Sequence, residues 1–476
     1  MKRENLKTKT KIRKQFRINN LINFKQYNMK NIVLISFLIS FFSCNMEKKI
    51  DNNIIKDPNL IYNEYSPKGN EIIISRADYI NKLKGFWLAQ CIANWTGLVT
   101  ELDKIGNIGE LKTGDFYTRE DWGKKDLPRY GQTTQNSSRN IDFVFEGDDG
   151  IWGADDDTDI EYIYQHLVYT NKTSKLTGRQ IRDGWLKHIK HEEQNYLWVS
   201  NQKALDLMIS GIIPPETSDP NKNPDFDMID AQLTTEIFGF YSPARPDFAV
   251  KMAELPIQTT ARFNAEWISK FYVSMYSLAA NSDPNISNKE NLLIMAEKSR
   301  NQLPNDSYAS KMYDFVKKQY NDGLQWETIR DNIYLRYQVE EKDGYDITSR
   351  NLRCNGCFAA GINFAASLIS LFAGEGDLKE TIKIGSLMGW DSDNPTATWG
   401  GLIGFMIGKD EVEKAFNRTF SEEYNIHRTR QNFPNGIDNF TNMAKIGVFI
   451  TDRVIQNELG GGIDLKNNIW YIPSKN

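Results

Sequence analysis

The chain has 476 residues, 40 % of them hydrophobic and 12 % aromatic, which is enough apolar material for a large buried core. A formal net charge of -4 excludes a broad basic footprint for nucleic acid, and the one strongly basic run, MKRENLKTKTKIRKQFR, stands at the extreme N-terminus.

From Met29 the chain reads MKNIVLISFLISFFSC, a lysine followed by an apolar run from Ile32 to Phe42. A spanning helix needs about 20 apolar residues, so this shorter run reads as a secretory signal. Its end, Ser43-Cys44, resembles a bacterial lipoprotein cleavage site with Cys44 as the lipidated residue, although Phe41 stands where leucine is usual. That predicts a cell-envelope protein attached to the membrane only through a lipid anchor. A signal cleaved without lipidation, or a short anchor, is the competing reading. Because the pattern starts cleanly at Met29, residues 1–28 read as a start placed too early. Residues 45–70 are polar, rich in Asn and Lys and without periodicity, as expected of a tether. One folded domain is expected over 71–476.

Helical periodicity dominates that domain. Ile80, Leu83, Trp87, Leu88, Cys91, Ile92 and Trp95 recur at spacings of three and four, and similar stripes run through TDIEYIYQHL, QKALDLMISGI, NAEWISKFYVSMYSLAA, NKENLLIMAEKSRNQL, SYASKMYDFVKKQY, CFAAGINFAASLISLFAG and DEVEKAFNRTF. Strand patterns are confined to EIIIS and the C-terminal GGGIDLKNNIWYIPS, where Asn467-Asn468 can close a hairpin. The fold class is therefore all-α: a single helical domain with a short C-terminal β-hairpin. Cys354 and Cys357 read as a local disulfide or two free thiols, because no strand-helix-strand frame or second pair supports redox or zinc chemistry. His188 and His191 read as an exposed helix end.

Small residues recur every four positions in two places: Gly85, Ala89, Ala93 and Gly97, then Gly400, Gly404 and Gly408. Residues four apart share a helical face, so each stripe permits a close helix neighbour. Two acidic clusters each precede a helix. Asp155, Asp156 and Asp157 come before the stripe that starts at Ile160; Asp391 and Asp393 come before Asn394, a good N-cap, and Pro395, suited to the first helical position. Capping accounts for one side chain at each junction. A helix dipole stabilises a nearby anion by only about 0.3–1 kcal/mol, so the surplus carboxylates point to a cation held by oxygen, Mg²⁺ or Mn²⁺ or Ca²⁺ rather than zinc. A solvated acidic loop is the alternative. An EF-hand is excluded, since the sixth position from Asp391 is Thr396 and the twelfth is Leu402, where glycine and glutamate are required.

Three segments together resemble the ADP-ribosylglycohydrolase family, of the dinitrogenase-reductase-activating type. GFWLAQCIANWTGLVTE, from Gly85 to Glu101, follows the family's first helix; Asp155-Asp156-Asp157-Thr158 matches its Ser/Thr-Asp-Asp-Thr motif; GWDSDN, with Gly400, Gly404 and Gly408 after it, matches its closing motif. The resemblance spans roughly Arg76 to Gly408. It implies an all-α fold and two Mg²⁺ or Mn²⁺ ions ligated by Asp155, Asp156, Asp157, Asp391, Asp393 and Asn394. Glu101, Asp157 and Asp391 become the candidate catalytic residues. The implied chemistry is hydrolysis of an N- or O-glycosidic bond in a small-molecule or protein-linked glycoside, by a monomer.

The chain departs from the pattern at Ala93-Asn94, where the family has Gly-Asp, at Trp390, where it has glycine, and at Asp155. The family's central glycine-rich segment has no counterpart; DAQLTTEIFGFYSPARPDFAVKMAELPIQTT stands in that region and keeps only Gly239 and a Pro-Asp helix start. Asn94, Trp390 and Ser392 are candidate substrate contacts, Trp390 as a cleft wall that stacks on a sugar or base. These departures, with export to the envelope, keep open a sugar other than ADP-ribose, or a non-catalytic sugar-binding lipoprotein.

Overall fold

The computed structural model describes residues 55–108, 111–126, 139–153, 155–191, 194–350 and 353–474. The predicted targeting segment 1–44, with Cys44, lies outside them.

Strand β1 (Glu71–Ser75) leads directly into helix α1 (Arg76–Gly97), whose start is capped by Ser75 Oγ accepting from Asp78 N at 3.2 Å. Beyond the expected apolar face, the second half of α1 is wrapped on all sides. Phe86 to Asn94 are buried without interruption, because α2 (Asp156–Thr170), α7 (Asp393–Ile407), α8 (Phe440–Arg453) and the helix Lys409–Phe416 all pack on it. The predicted stripes elsewhere form α3 (Val199–Ile209), α5 (Asn264–Ala279), α6 (Ala360–Ala373) and the helices Asn288–Ser299 and Tyr308–Asn321. Between α3 and α5 lies the short α4 (Asp230–Thr234).

The two small-residue stripes meet each other. An added Cβ would lie 2.3 Å from Ala89 Cβ at Gly404, 2.4 Å from Ala93 Cβ at Gly400, and 2.3 Å from Asp393 Cα at Gly97. Gly85 faces Gly404 and Gly408 while Gly97 faces Asp393, so α1 and α7 run antiparallel and the N-terminus of α7 is pressed against the C-terminus of α1. Helix α7 begins at Asp393 with Ser392 as N-cap, two residues ahead of the expected Asn394 cap. Pro395 still falls in the first turn, where a missing N–H costs no intrahelical bond.

The fold is all-α, with strands confined to three small sheets among the described residues. The C-terminal hairpin, β2 (Gly462–Asp464) and β3 (Ile469–Pro473), forms as expected, and β3 also pairs antiparallel with β1. The stretch expected to be a tether is tied down from Ile55 onward. Arg76 Nη2 donates to Ile55 O at 2.8 Å, Arg453 Nη2 meets Asp57 Oδ2 at 2.6 Å, and Tyr62 Oη donates to Asp452 Oδ2 at 2.7 Å. The sequence hid this because two of the three anchoring partners, Asp452 and Arg453, lie near the other end of the chain.

Candidate active site

Three helix ends converge on one cavity of about 420 Å³, counted with its open mouth. The C-terminal turn of α1 supplies Leu98 and Glu101, the N-terminus of α2 supplies Asp155, Asp156 and Asp157, and the approach to α7 supplies Asp391 and Asp393. Asp230 of α4 is a further carboxylate in the wall, and among the described residues the lining contains no Lys, Arg or His.

Local backbone chemistry sets these directions. Gly389 and Trp390 both take left-handed backbone, at φ +85° and +54°. A Cβ on Gly389 would lie 2.2 Å from Lys104 O, so only glycine fits there. Positive φ at a bulky residue such as Trp390 is unfavourable and is held here by its surroundings. The indole is fully buried, packs on Phe116 with ring centroids 4.8 Å apart and donates from Nε1 to Gln338 Oε1 at 2.6 Å. Trp390 is therefore structural and does not line the cavity, contrary to its expected role as a cleft wall. The left-handed turn sends its side chain one way and Asp391 the other.

Asp155 is the N-cap of α2; its Oδ1 accepts from Asp156 N at 2.9 Å, so part of this carboxylate is used by the helix. Asn94 Nδ2 donates to Asp157 Oδ2 at 2.7 Å and to Asp393 Oδ2 at 3.3 Å, and Asn394 Nδ2 donates to Asp157 Oδ1 at 2.8 Å. Both amides thus orient carboxylates from behind and neither lines the cavity, which differs from the substrate and metal contacts expected of them. Ser392 is likewise turned inward, with Oγ donating to Gly97 O at 3.0 Å and lying 3.1 Å from Thr100 Oγ1.

Burial of like charges dominates the electrostatics. Desolvation, followed by the charge of Asp155, pushes Glu101 up to about 7. The same two causes raise Asp156 well above the usual carboxylate range; for Asp157 desolvation is followed by Asp393, and for Asp391 and Asp393 by Glu101. Asp159, one turn further along α2, meets the buried guanidinium of Arg430 at 2.7 Å.

An oxygen-ligated divalent cation fits this set. One oxygen each from Glu101, Asp391 and Asp393 lies within 4.8 Å of the others, and the buried Oδ1 of Asp393 has no hydrogen-bond partner among the described residues. A cation would satisfy that atom and remove the repulsion that raises the neighbouring carboxylates.

Other side chains in the wall had no sequence signal. Asp230 is nearly fully buried and caps α3 from outside, accepting from Ser200 Oγ at 2.6 Å and Asn201 N at 2.9 Å; desolvation raises it to about 6. It anchors Trp198 and Val199 at the rim, where Trp198 is 55 % exposed. Phe358, next to the Cys354–Cys357 disulfide, completes the apolar side. His188 is buried rather than exposed, stacked on Phe433 at 4.1 Å.

A family model described as ADP-ribosylglycohydrolase matches residues 75–437. Among solved structures, one described as "ADP-ribosylglycohydrolase-related protein complex" is similar at 12 % identity with a TM-score of 0.44, over 79 % of this chain and 99 % of that one. No curated protein matches.

Proposed function

The chain belongs to the ADP-ribosylglycohydrolase family, and from that premise we propose that it is a metal-dependent hydrolase of an N- or O-glycosidic bond. The observation that carries this is a cavity lined, among the described residues, by seven carboxylic side chains and no basic one. Asp156, Asp157, Asp391 and Asp393, with the free part of Asp155, would hold two Mg²⁺ or Mn²⁺ ions. Bound there, the ions supply Lewis acidity toward sugar hydroxyls and water near neutral pH. Asn94 and Asn394 keep the Asp157 carboxylate aimed at the cavity. Glu101, whose carboxylate shares the wall with these aspartates, would exchange the proton that glycosidic cleavage requires. Leu98, Leu233 and Phe358 exclude bulk water from the reacting face.

With Trp390 withdrawn into the core, the departure from the family glycine no longer argues for an unusual substrate. ADP-ribosyl conjugates and furanosides remain on the same footing. The test is hydrolysis of ADP-ribosyl-arginine, ADP-ribosyl-serine and aryl furanosides, with Asp391→Asn as control. Cleavage of one of them that falls at least 100-fold in Asp391→Asn is expected; full activity in that variant would remove Asp391 from its role.

The working form in this proposal is a monomer in the bacterial envelope, anchored by lipidated Cys44. Cys44→Ala should release the protein from membranes, and persistence of membrane attachment would contradict the anchor.

A further inference from the structure

Phe358 enters the wall of the carboxylate cavity directly after a short loop, Cys354 to Cys357, whose two ends are joined by a disulfide. The loop backbone is unusual. Cys354, Asn355 and Gly356 take left-handed backbone in succession, at φ +40°, +52° and +84°. Only the glycine adopts that region at no steric cost, so the two residues before it are held there by restraints, and the covalent link between the ends is the most local of them. Cys357 is fully buried and Cys354 only half-buried, so solvent reaches the loop from the Cys354 side.

Two routes lead from this loop into the cavity. The first runs through Asn363 of α6, a fully buried amide. Its Nδ2 donates to Cys357 O at 2.8 Å and to Ala359 O at 3.0 Å, while its Oδ1 accepts from Asp391 N at 3.2 Å. One side chain thus joins the end of the disulfide loop to the backbone of a cavity carboxylate. The second route is the main chain. Phe358 O accepts from Ile229 N at 2.9 Å, and Ile229 stands beside Asp230 in the same wall. The placing of Asp391, Phe358 and Ile229 therefore refers back to a loop whose shape the disulfide sets.

We propose that Cys354 and Cys357 form a site of reversible thiol–disulfide exchange that controls the cavity. Joined, they hold Phe358 and, through Asn363, Asp391 in place; opened, they release both and weaken cation binding. The effect on cations rests on the metal reading of the cavity. The co-reactant is a dithiol. One of its thiolates attacks Cys354 Sγ, the S–S bond breaks, and Cys357 leaves as a thiolate that takes a proton; the second thiol then attacks the mixed disulfide and frees Cys354. Two electrons and two protons pass to the protein, and the dithiol departs as its own disulfide. With the link gone, Cys354 and Asn355 can return to ordinary backbone, which shifts Cys357 O relative to Asn363.

The test uses the full chain, oxidised or opened with dithiothreitol that is then removed without air, with free thiols counted in each form. In chelated protein, amide hydrogen exchange over residues 388–394 reads Asp391 N without any metal. It should quicken by about fivefold or more on opening and return on reoxidation, and Mn²⁺ should bind the opened form about fivefold or more weakly. Cys354→Ser combined with Cys357→Ser should reproduce the opened form and ignore the dithiol; the reversal in the wild type decides the matter where that variant folds poorly. Unchanged exchange in the opened wild type, no thiols gained from the folded chain, or Mn²⁺ bound equally by both forms would overturn the proposal. Exchange that follows the dithiol while Mn²⁺ binds neither form supports the coupling of loop to Asp391 and removes the metal reading instead.

Discussion

At the N-terminal end of α1, Arg76 grips Asp452 through Nε at 3.0 Å and Nη2 at 2.7 Å, while Trp470 Nε1 and Tyr62 Oη each donate to the same carboxylate at 2.7 Å. At its C-terminal end, Glu101 and the aspartates of α2 and α7 crowd one cavity with no basic side chain among the described residues of its lining. Both places bury charge, yet only the first compensates it within the protein. A closed, fully bonded pair holds the chain together, here joining α1 to the N-terminal segment and the C-terminal sheet. An open set of like charges is stable only with something added, and that is what separates a ligand site from a structural one.

The sharpest way to break the comparison is to remove one partner of the closed pair. Arg76→Met leaves Asp452 buried without its counter-ion and should cost about 3–5 kcal/mol in denaturant unfolding. An effect below about 1 kcal/mol would mean that the two ends do not differ as described.

Next in size is the response to cations. At 100 times its dissociation constant, Mg²⁺ or Mn²⁺ should stabilise the folded protein by about 2.7 kcal/mol per site. Without metal, Glu101 and the aspartates have folded-state values above their unfolded ones. Their contribution is therefore present at low pH and lost as pH rises, through about 4.5 to 7 for Glu101 and from about 3.8 upward for Asp156, Asp157, Asp391 and Asp393. Melting curves of chelated protein should fall over that range, and added cation should reverse the trend, because binding requires the deprotonated carboxylates.

A smaller effect tests how the acidic end is held in place. Gly404→Ala brings a methyl to 2.3 Å from Ala89 Cβ and should cost about 1–3 kcal/mol by forcing α7 from α1. Because Gly97 and Asp393 share that seam, cation affinity should weaken with it. Smallest is Trp390→Phe, which leaves Gln338 Oε1 without its donor and should cost about 1–2 kcal/mol with no change in substrate affinity. A large rise in KM would return Trp390 to the cleft.

Much of this was legible in the sequence for physical reasons. The helices follow from apolar residues at helical spacing, and the α1–α7 seam follows from glycines four apart, since small residues at that period have little other use. Asp156, Asp157, Asp391 and Asp393 stood out because helix capping could not employ them all. What sequence could not give was direction and distant partners. Adjacency to Asp391 made Trp390 look like part of the cleft, but two successive left-handed residues turn the indole to Phe116. Asn94 and Asn394 face carboxylates rather than the cavity, a direction that adjacency in sequence does not encode. Asp230 and Trp198 reach it only because Asp230 caps a helix 30 residues earlier in the chain, a contact that leaves no periodic trace.

The most direct measurement is the metal content of the purified protein after equilibration with Mn²⁺ and removal of free ions, alongside Asp391→Asn. Two ions per wild-type chain, and fewer in the variant with its fold intact, is the predicted result. Less than one ion per wild-type chain would contradict the claim that the acidic end of α1 is completed by cations.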